Sequence, residues 1–171
     1  MLMSYPFTVT RRVEFCETDA AGIAHFSAFL CYMEQAEHAL LRHLGTSVST
    51  DIGEGWHLSW PRVHVSCDYR GSVRFEDCLD IQVRVERLGT RSVTYAFDFR
   101  LANKSLAAAL LGGQPASDQP ASEQPTSEQP YSGQPLAVGK VVAVCCKVRS
   151  GSPLESLEIP GQLRRQLEQY M

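Results

Sequence analysis

The sequence predicts an α+β fold in which one long helix packs inside a curled, five-stranded antiparallel sheet. Two observations carry this. Three stretches alternate apolar and polar residues with period two: Val63, Val65, Cys67 and Tyr69 interleave with His64, Ser66 and Asp68; Leu79, Ile81, Val83 and Val85 interleave with Asp80, Gln82, Arg84 and Glu86; and Val93, Tyr95, Phe97, Phe99 and Leu101 repeat the pattern. Such alternation marks strands with one buried and one polar face. A single helical stripe, Phe29, Met33, Ala36, Leu40 and Leu44, recurs at spacings of three and four.

A first strand is expected near residues 7–15. The helix follows, with Ser27 as its N-cap and Gly45 at its end. The second and third alternating strands are separated by Leu88-Gly89-Thr90, which reads as a hairpin turn. A last strand spans residues 136–148, and its run VVAVCC is apolar on both faces, as suits a strand with cover on both sides. A short amphipathic helix closes the chain, with Pro160 near its start and Leu163, Leu167 and Tyr170 on one side.

Composition narrows the function classes. The chain has 171 residues, 44% hydrophobic and 20% charged, with a net charge of −3. That is the balance of a globular domain. It lacks the basic footprint of a nucleic-acid binder and the polybasic patch of a membrane-surface protein. No apolar run reaches the ~18 residues of a membrane span, and residues 1–7 lack a signal-peptide layout, so a cytoplasmic protein is expected. The six cysteines form no C-x-x-C pair and no zinc spacing, so they read as buried reduced thiols; Cys145 and Cys146, adjacent in a strand, should face opposite sides. His38 and His43 are five apart and do not share a helix face, so no metal site is expected. Trp56 and Trp60 could line a pocket or pack, and packing is favoured because tryptophans mostly serve as buried bulk.

Residues 114–135 stand apart. They read QPASD QPASE QPTSE QPYSG QP, a five-residue period that holds five of the nine prolines. Such a tract cannot bury enough apolar area to offset its ordering entropy. It reads as a polyproline-like surface insertion before the last strand, not as a domain boundary. The 36 residues after it are too few to fold alone, so residues 1–171 are expected to form a single domain.

The stretch EFCETDAAGIAHFSAFL is the chemically suggestive one. A strand gives way to a loop carrying Glu17, Asp19 and His25, and a helix begins directly after it. The free N–H groups of a helix N-terminus bind developing negative charge and, aimed at a carbonyl oxygen, form an oxyanion hole. A carboxylate opposite can serve as nucleophile or general base. Acids before helices also arise as capping residues, which leaves both readings open on these residues alone.

VEFCETDAAGIAHFSAFLCYMEQAEHALLRHLG resembles the opening motif of hot-dog-fold acyl-CoA thioesterases of the 4-hydroxybenzoyl-CoA thioesterase type. Thr18, Asp19, Gly22 and Phe26 match its spacing, and Cys67-Asp68-Tyr69, Phe75-Glu76-Asp77 and Gly89-Thr90-Arg91-Ser92 resemble later segments. The resemblance covers residues 7–101 and 136–148. It implies that Asp19 attacks the thioester carbonyl or activates water, and that the Phe26 backbone N–H polarises that carbonyl. It places Thr90, Arg91 and Ser92 against the nucleotide of coenzyme A, where a forked guanidinium suits phosphate.

Three departures stand out. Many relatives carry Tyr-His where this chain has His25-Phe26, which sets His25 one place early for a catalytic part. The helix motif Glu-x-Ala-Arg becomes Glu34-Gln35-Ala36-Glu37, keeping the first acid and replacing arginine with a second. A second hot-dog lineage uses a helix glutamate at about the depth of Glu34, which makes Glu34 the runner-up carboxylate. The third departure is the insertion itself.

The resemblance implies an acyl-CoA thioesterase that needs no metal or bound cofactor, coenzyme A being part of the substrate. It implies a homo-oligomer, dimer or tetramer, because a lone hot-dog leaves an open sheet edge and a half-built pocket. One alternative is a hydratase or dehydratase on a 3-hydroxyacyl thioester using His25 with Asp19 or Glu34, although the six-residue spacing from Asp19 to His25 is one longer than such enzymes show. The other is a non-catalytic acyl-CoA binding module. Only the hydrolase releases free thiol from acyl-CoA.

Loop-closure cost grows only logarithmically with length, so replacing residues 114–135 with a short Gly-Ser turn should shift stability by no more than roughly 1–2 kcal/mol. Thermal melts and acyl-CoA turnover check this; a fall in turnover at unchanged melting temperature would make the tract a lid.

Overall fold

A computed structural model describes residues 6–102 and 134–171. In order, the elements are β1 (Phe7–Arg12), α1 (Phe26–His43), β2 (Ser49–Asp51), β3 (His57–Ser59), β4 (Arg62–Tyr69), β5 (Cys78–Leu88), β6 (Ser92–Leu101), β7 (Ala137–Val144), β8 (Cys146–Val148), β9 (Glu155–Ser156) and α2 (Gly161–Leu167). The main sheet is antiparallel, with order β1-β5-β6-β7-β4. A smaller sheet, β2-β3-β8-β9, stands beside it.

The core forms where α1 lies on the main sheet. Ala28, Phe29, Tyr32, Met33, Ala36 and Leu40 face inward from the helix. Opposite them are Leu79, Ile81, Val83 and Val85 of β5, Val93, Tyr95, Phe97 and Phe99 of β6, and Ala137, Val141 and Ala143 of β7. Gly139 marks the closest approach, since a Cβ there would sit 2.1 Å from Met33 Sδ. A side chain at that position would force Met33 to repack.

The long elements arise where the periodicity predicts them, with the following corrections. The first strand stops at Arg12, not near residue 15, because Val13 N–H leaves the ladder and donates to Asp77 O at 2.9 Å. The helix N-cap is His25, not Ser27: His25 holds extended backbone angles and its ring accepts from the Ser27 N–H. Val63, Val65 and Tyr69, expected on a buried face, are exposed on the edge strand β4. The final strand breaks at Cys145, whose N–H donates to Arg91 O at 2.7 Å, and Cys146 then starts β8 in the small sheet. That change of sheet buries both thiols, whereas an unbroken strand would point them to opposite faces. Cys16 and Cys31 are exposed, as neither lies on a core-facing position.

Gly45 follows the helix at φ +77, the left-handed turn that ends it. The β5–β6 hairpin closes through Gly89 N–H to Ser92 O at 2.8 Å. Trp60 is buried, and the Trp56 ring packs under Lys147 and Arg149. Residues 114–133 of the repeat lie outside the described residues. Their flanks belong to neighbouring strands, since Phe99 of β6 pairs with Ala137 of β7. Among the described residues no helix is long and apolar enough to cross a membrane.

Candidate active site

The site is assembled where β1, α1 and β5 meet. After Val13, a 3-10 turn spans Phe15–Glu17, and Glu14 N–H donates to Glu17 Oε2 at 2.8 Å. The chain then folds back on itself: Thr18 and Ala24 form an antiparallel bridge, and Asp19 N–H donates to Ile23 O at 2.9 Å. Gly22 closes this turn at φ +72, a region that costs a residue with a Cβ. Ala24 N–H donates to Val73 O at 2.7 Å, which ties the turn to the segment between β4 and β5. His25 N–H donates to Glu17 O at 2.8 Å. Backbone bonds therefore tie the acid turn to the start of α1.

Asp19 is half-buried. Its Oδ1 accepts from the Ala21 N–H at 2.8 Å and meets the Ile23 N–H at 3.5 Å. Among the described residues nothing donates to Oδ2, so one oxygen orients the carboxylate and the other stays available. Phe26 is the first helical residue, and its N–H is one of the donors that a helix leaves unpaired. No described acceptor takes it. Its carbonyl accepts from the Tyr69 hydroxyl at 3.0 Å, which moors the helix start to the edge strand.

His25 sits between these two groups but is engaged elsewhere. Its Nδ1 accepts from the Ser27 N–H at 3.3 Å and pairs with Ser27 Oγ at 2.8 Å. The ring acts as the helix cap, and no bond links it to Asp19.

Glu34 lies eight residues beyond Phe26, or about 12 Å along the axis. It belongs to a charged cluster with His38 and Arg62: Glu34 Oε1 is 3.6 Å from Arg62 Nη1 and 3.9 Å from His38 Nε2. The inner member is Glu37, only 1% exposed, whose Oε2 accepts from Arg62 Nη2 at 3.0 Å. Burial raises the Glu37 pKa, and the Arg62 charge and hydrogen bond oppose that shift. Burial, then Arg62, lowers that of His38. An open cavity of about 290 Å³ between α1 and β4 is lined by Leu30, Cys31, Glu34, Glu37, Arg62, Val65 and Val141.

Thr90, Arg91 and Ser92 lie at the other end of the main sheet. Asp19 is tied to the residues just before Cys78, and Thr90 follows Leu88, so the length of β5 separates them, roughly 33 Å along the strand. Arg91 is exposed and donates to Ser156 Oγ at 3.3 Å, while Arg164 donates to the Thr90 carbonyl at 3.2 Å. Within one protomer this arginine is far from the acid turn.

Sequence reading missed Tyr69, Arg62, Glu37 as a buried acid, and Tyr32. The hydroxyl of Tyr32 donates to Glu17 Oε2 at 2.5 Å. Only the loss of the helix arginine in Glu34-Gln35-Ala36-Glu37 signalled any of these in advance.

Residues 21–108 match the model of the thioesterase superfamily, which is just over half of the chain. The chain belongs to the thioesterase superfamily. The matched span opens two residues after Asp19. A 1,4-dihydroxy-2-naphthoyl-CoA hydrolase of Synechococcus is 31% identical over 107 residues, which cover 60% of this chain and 72% of that one. A 1,4-dihydroxy-2-naphthoyl-CoA thioesterase from Synechocystis superposes with a TM-score of 0.68 at 19% identity, covering 94% of both chains. A 4-hydroxybenzoyl-CoA thioesterase variant in complex with 4-hydroxybenzoyl-CoA superposes with a TM-score of 0.65 at 15% identity, covering 96% of this chain and 97% of that one. The fold is the hot-dog fold of the thioesterase superfamily, and this member is a thioester hydrolase.

Removing Arg62 would leave Glu37 as a buried, unpaired charge. Arg62→Ala should destabilise the protein by about 3 kcal/mol near neutral pH. Without the arginine the Glu37 pKa rises further above its unfolded value. The folded state then holds the proton more tightly, so the loss is full above the raised value and fades as pH falls to the ordinary carboxylate range. Urea melts of the variant against wild type across pH 4 to 8 check the direction.

Proposed function

We propose that this thioesterase hydrolyses an acyl-CoA with Asp19 as nucleophile or as general base toward water. The Phe26 N–H is the donor to the carbonyl oxygen. The observation that carries this is the shared anchoring of the two groups: an acid turn and a free helix-start N–H held together through Glu17 and His25. As the tetrahedral intermediate forms, charge develops on the former carbonyl oxygen. The unpaired N–H and the positive end of α1 stabilise it. The C–S bond then breaks, coenzyme A leaves as thiol, and water supplies the acid's new oxygen, directly or by opening an aspartyl anhydride. His25 serves this site as the cap that shapes the helix start.

The substrate proposal draws on the relatives, whose names include hydroxylated aromatic acyl groups. The cavity beside α1 suits such a group, with apolar walls from Leu30, Val65 and Val141 and a polar side from Glu34 and Arg62.

The active form is proposed as a homodimer at the least. Phe26 (60% exposed), Leu30, Val63 (64% exposed) and Val65 leave an apolar face open along α1 and the unpaired edge of β4. A second copy pairing there would cover that face and the cavity. It would also allow Thr90, Arg91 and Ser92 of one protomer to meet coenzyme A bound at the acid turn of another, a juxtaposition that one chain does not provide.

Asp19→Asn should lower kcat by about 10³-fold or more while KM changes little, because the amide keeps the shape and loses the basic oxygen. Glu34→Gln should cost far less. Release of free thiol from a panel of acyl-CoAs measures both; a dead Glu34 variant beside an active Asp19 variant would transfer the role to the helix carboxylate.

Val65→Asp should weaken assembly and turnover together. Light scattering at micromolar concentration reads the mass, and a fully active monomeric wild type would sink the dimer.

A further inference from the structure

The described residues hold one contact at the site for which the proposed chemistry has no use. Tyr32 lies fully buried on the second turn of α1, and its hydroxyl donates to Glu17 Oε2 at 2.5 Å. The same oxygen accepts from the Glu14 N–H at 2.8 Å. Glu17 also takes the His25 N–H on its backbone carbonyl at 2.8 Å, and it stands two residues before Asp19. Its main chain therefore holds the helix cap, its side chain holds the helix interior, and its C-terminal neighbours carry the acid. Burial, and then the bond to Glu17, raise the Tyr32 pKa, so the hydroxyl keeps its proton and remains a donor at every working pH.

We infer that Glu17 and Tyr32 form a positioning pair that sets the distance between the Asp19 carboxylate and the Phe26 N–H. This inference rests on the assignment of Asp19 and Phe26 proposed above. The geometric reason is that the acid turn has two attachments to α1. One is the His25–Glu17 backbone bond at the helix start. The other is the Tyr32–Glu17 side-chain bond, seven residues further along the chain. With one attachment the turn can pivot; with two it cannot. A nucleophile or base must stand within a fraction of an ångström of its productive place, and small displacements are costly in rate. The pair acts through Asp19 and is not itself catalytic.

The experiment compares Tyr32→Phe, Glu17→Gln and Glu17→Ala with Asp19→Asn in the thiol-release assay, alongside thermal melts. Tyr32→Phe should lower kcat about tenfold with KM changed less than about twofold, the signature of lost alignment rather than lost binding. Glu17→Gln keeps an acceptor oxygen and should fall between wild type and Glu17→Ala. The double variant Tyr32→Phe/Glu17→Ala should be no slower than Glu17→Ala alone, because the two side chains act through one bond. Wild-type kcat in Tyr32→Phe beside an inactive Asp19→Asn would overturn the pair and leave the proposed chemistry standing. An active Asp19→Asn would overturn both. If Tyr32→Phe does not fold, the Glu17 series decides: full kcat in Glu17→Ala overturns the inference.

Discussion

The seating of α1 on the concave face of the main sheet is the constraint on which the rest of the molecule depends. The helix buries Phe29, Tyr32, Met33, Ala36 and Leu40 against three adjacent strands. Each large side chain placed there contributes roughly 1.5–3 kcal/mol. The seating has little slack, because Met33 rests directly over Gly139. Once the helix is held at that depth, the position of its first N–H is fixed. The acid turn is then docked on that fixed point by main-chain bonds to Val73 and Glu17. The geometry of the helix start is thus a by-product of core packing at its middle.

A second layer of organisation is electrostatic and lies about three turns further along α1. Glu37 is an acid inside the fold, held by a guanidinium that arrives from the edge strand. Such a pair adds little net stability, since desolvation offsets much of the attraction, but it penalises any register of β4 that moves Arg62 away. In the edge strand, which has neighbours on one side only, this penalty supplies specificity that the backbone ladder does not. Tyr69, at the opposite end of β4, fastens the same strand to the helix start. Between them the two residues hold β4 to α1 where a sheet neighbour is missing.

The sequence made the helix and the long central strands legible because their periods persist over many residues. Leu79 to Val85 and Val93 to Phe99 are buried at every alternate position, as the pattern implies. The same alternation misled at Val63 and Val65, since period two shows that two faces differ and does not show that either is covered. The small sheet was illegible because strands of two or three residues have no period to read. In the site, Asp19 and Phe26 could be read as neighbours because a short loop joins them. Glu17 and Tyr32 are fifteen residues apart in strandless turn and helix, and no spacing rule connects them. The separation of Arg91 from Asp19 was equally hidden, because only the direction of β5 reveals it.

The pairing of Phe99 with Ala137 has a consequence for the history of the gene. The register of these two strands is set by contacts within the sheet, so it does not sense how many residues the coding sequence places between them. A tandem repeat in that interval can gain or lose whole pentads by slippage during replication, and each change keeps the reading frame. Selection on the hydrolase would then see the repeat number only weakly, and close relatives would differ in it while keeping the residues on either side.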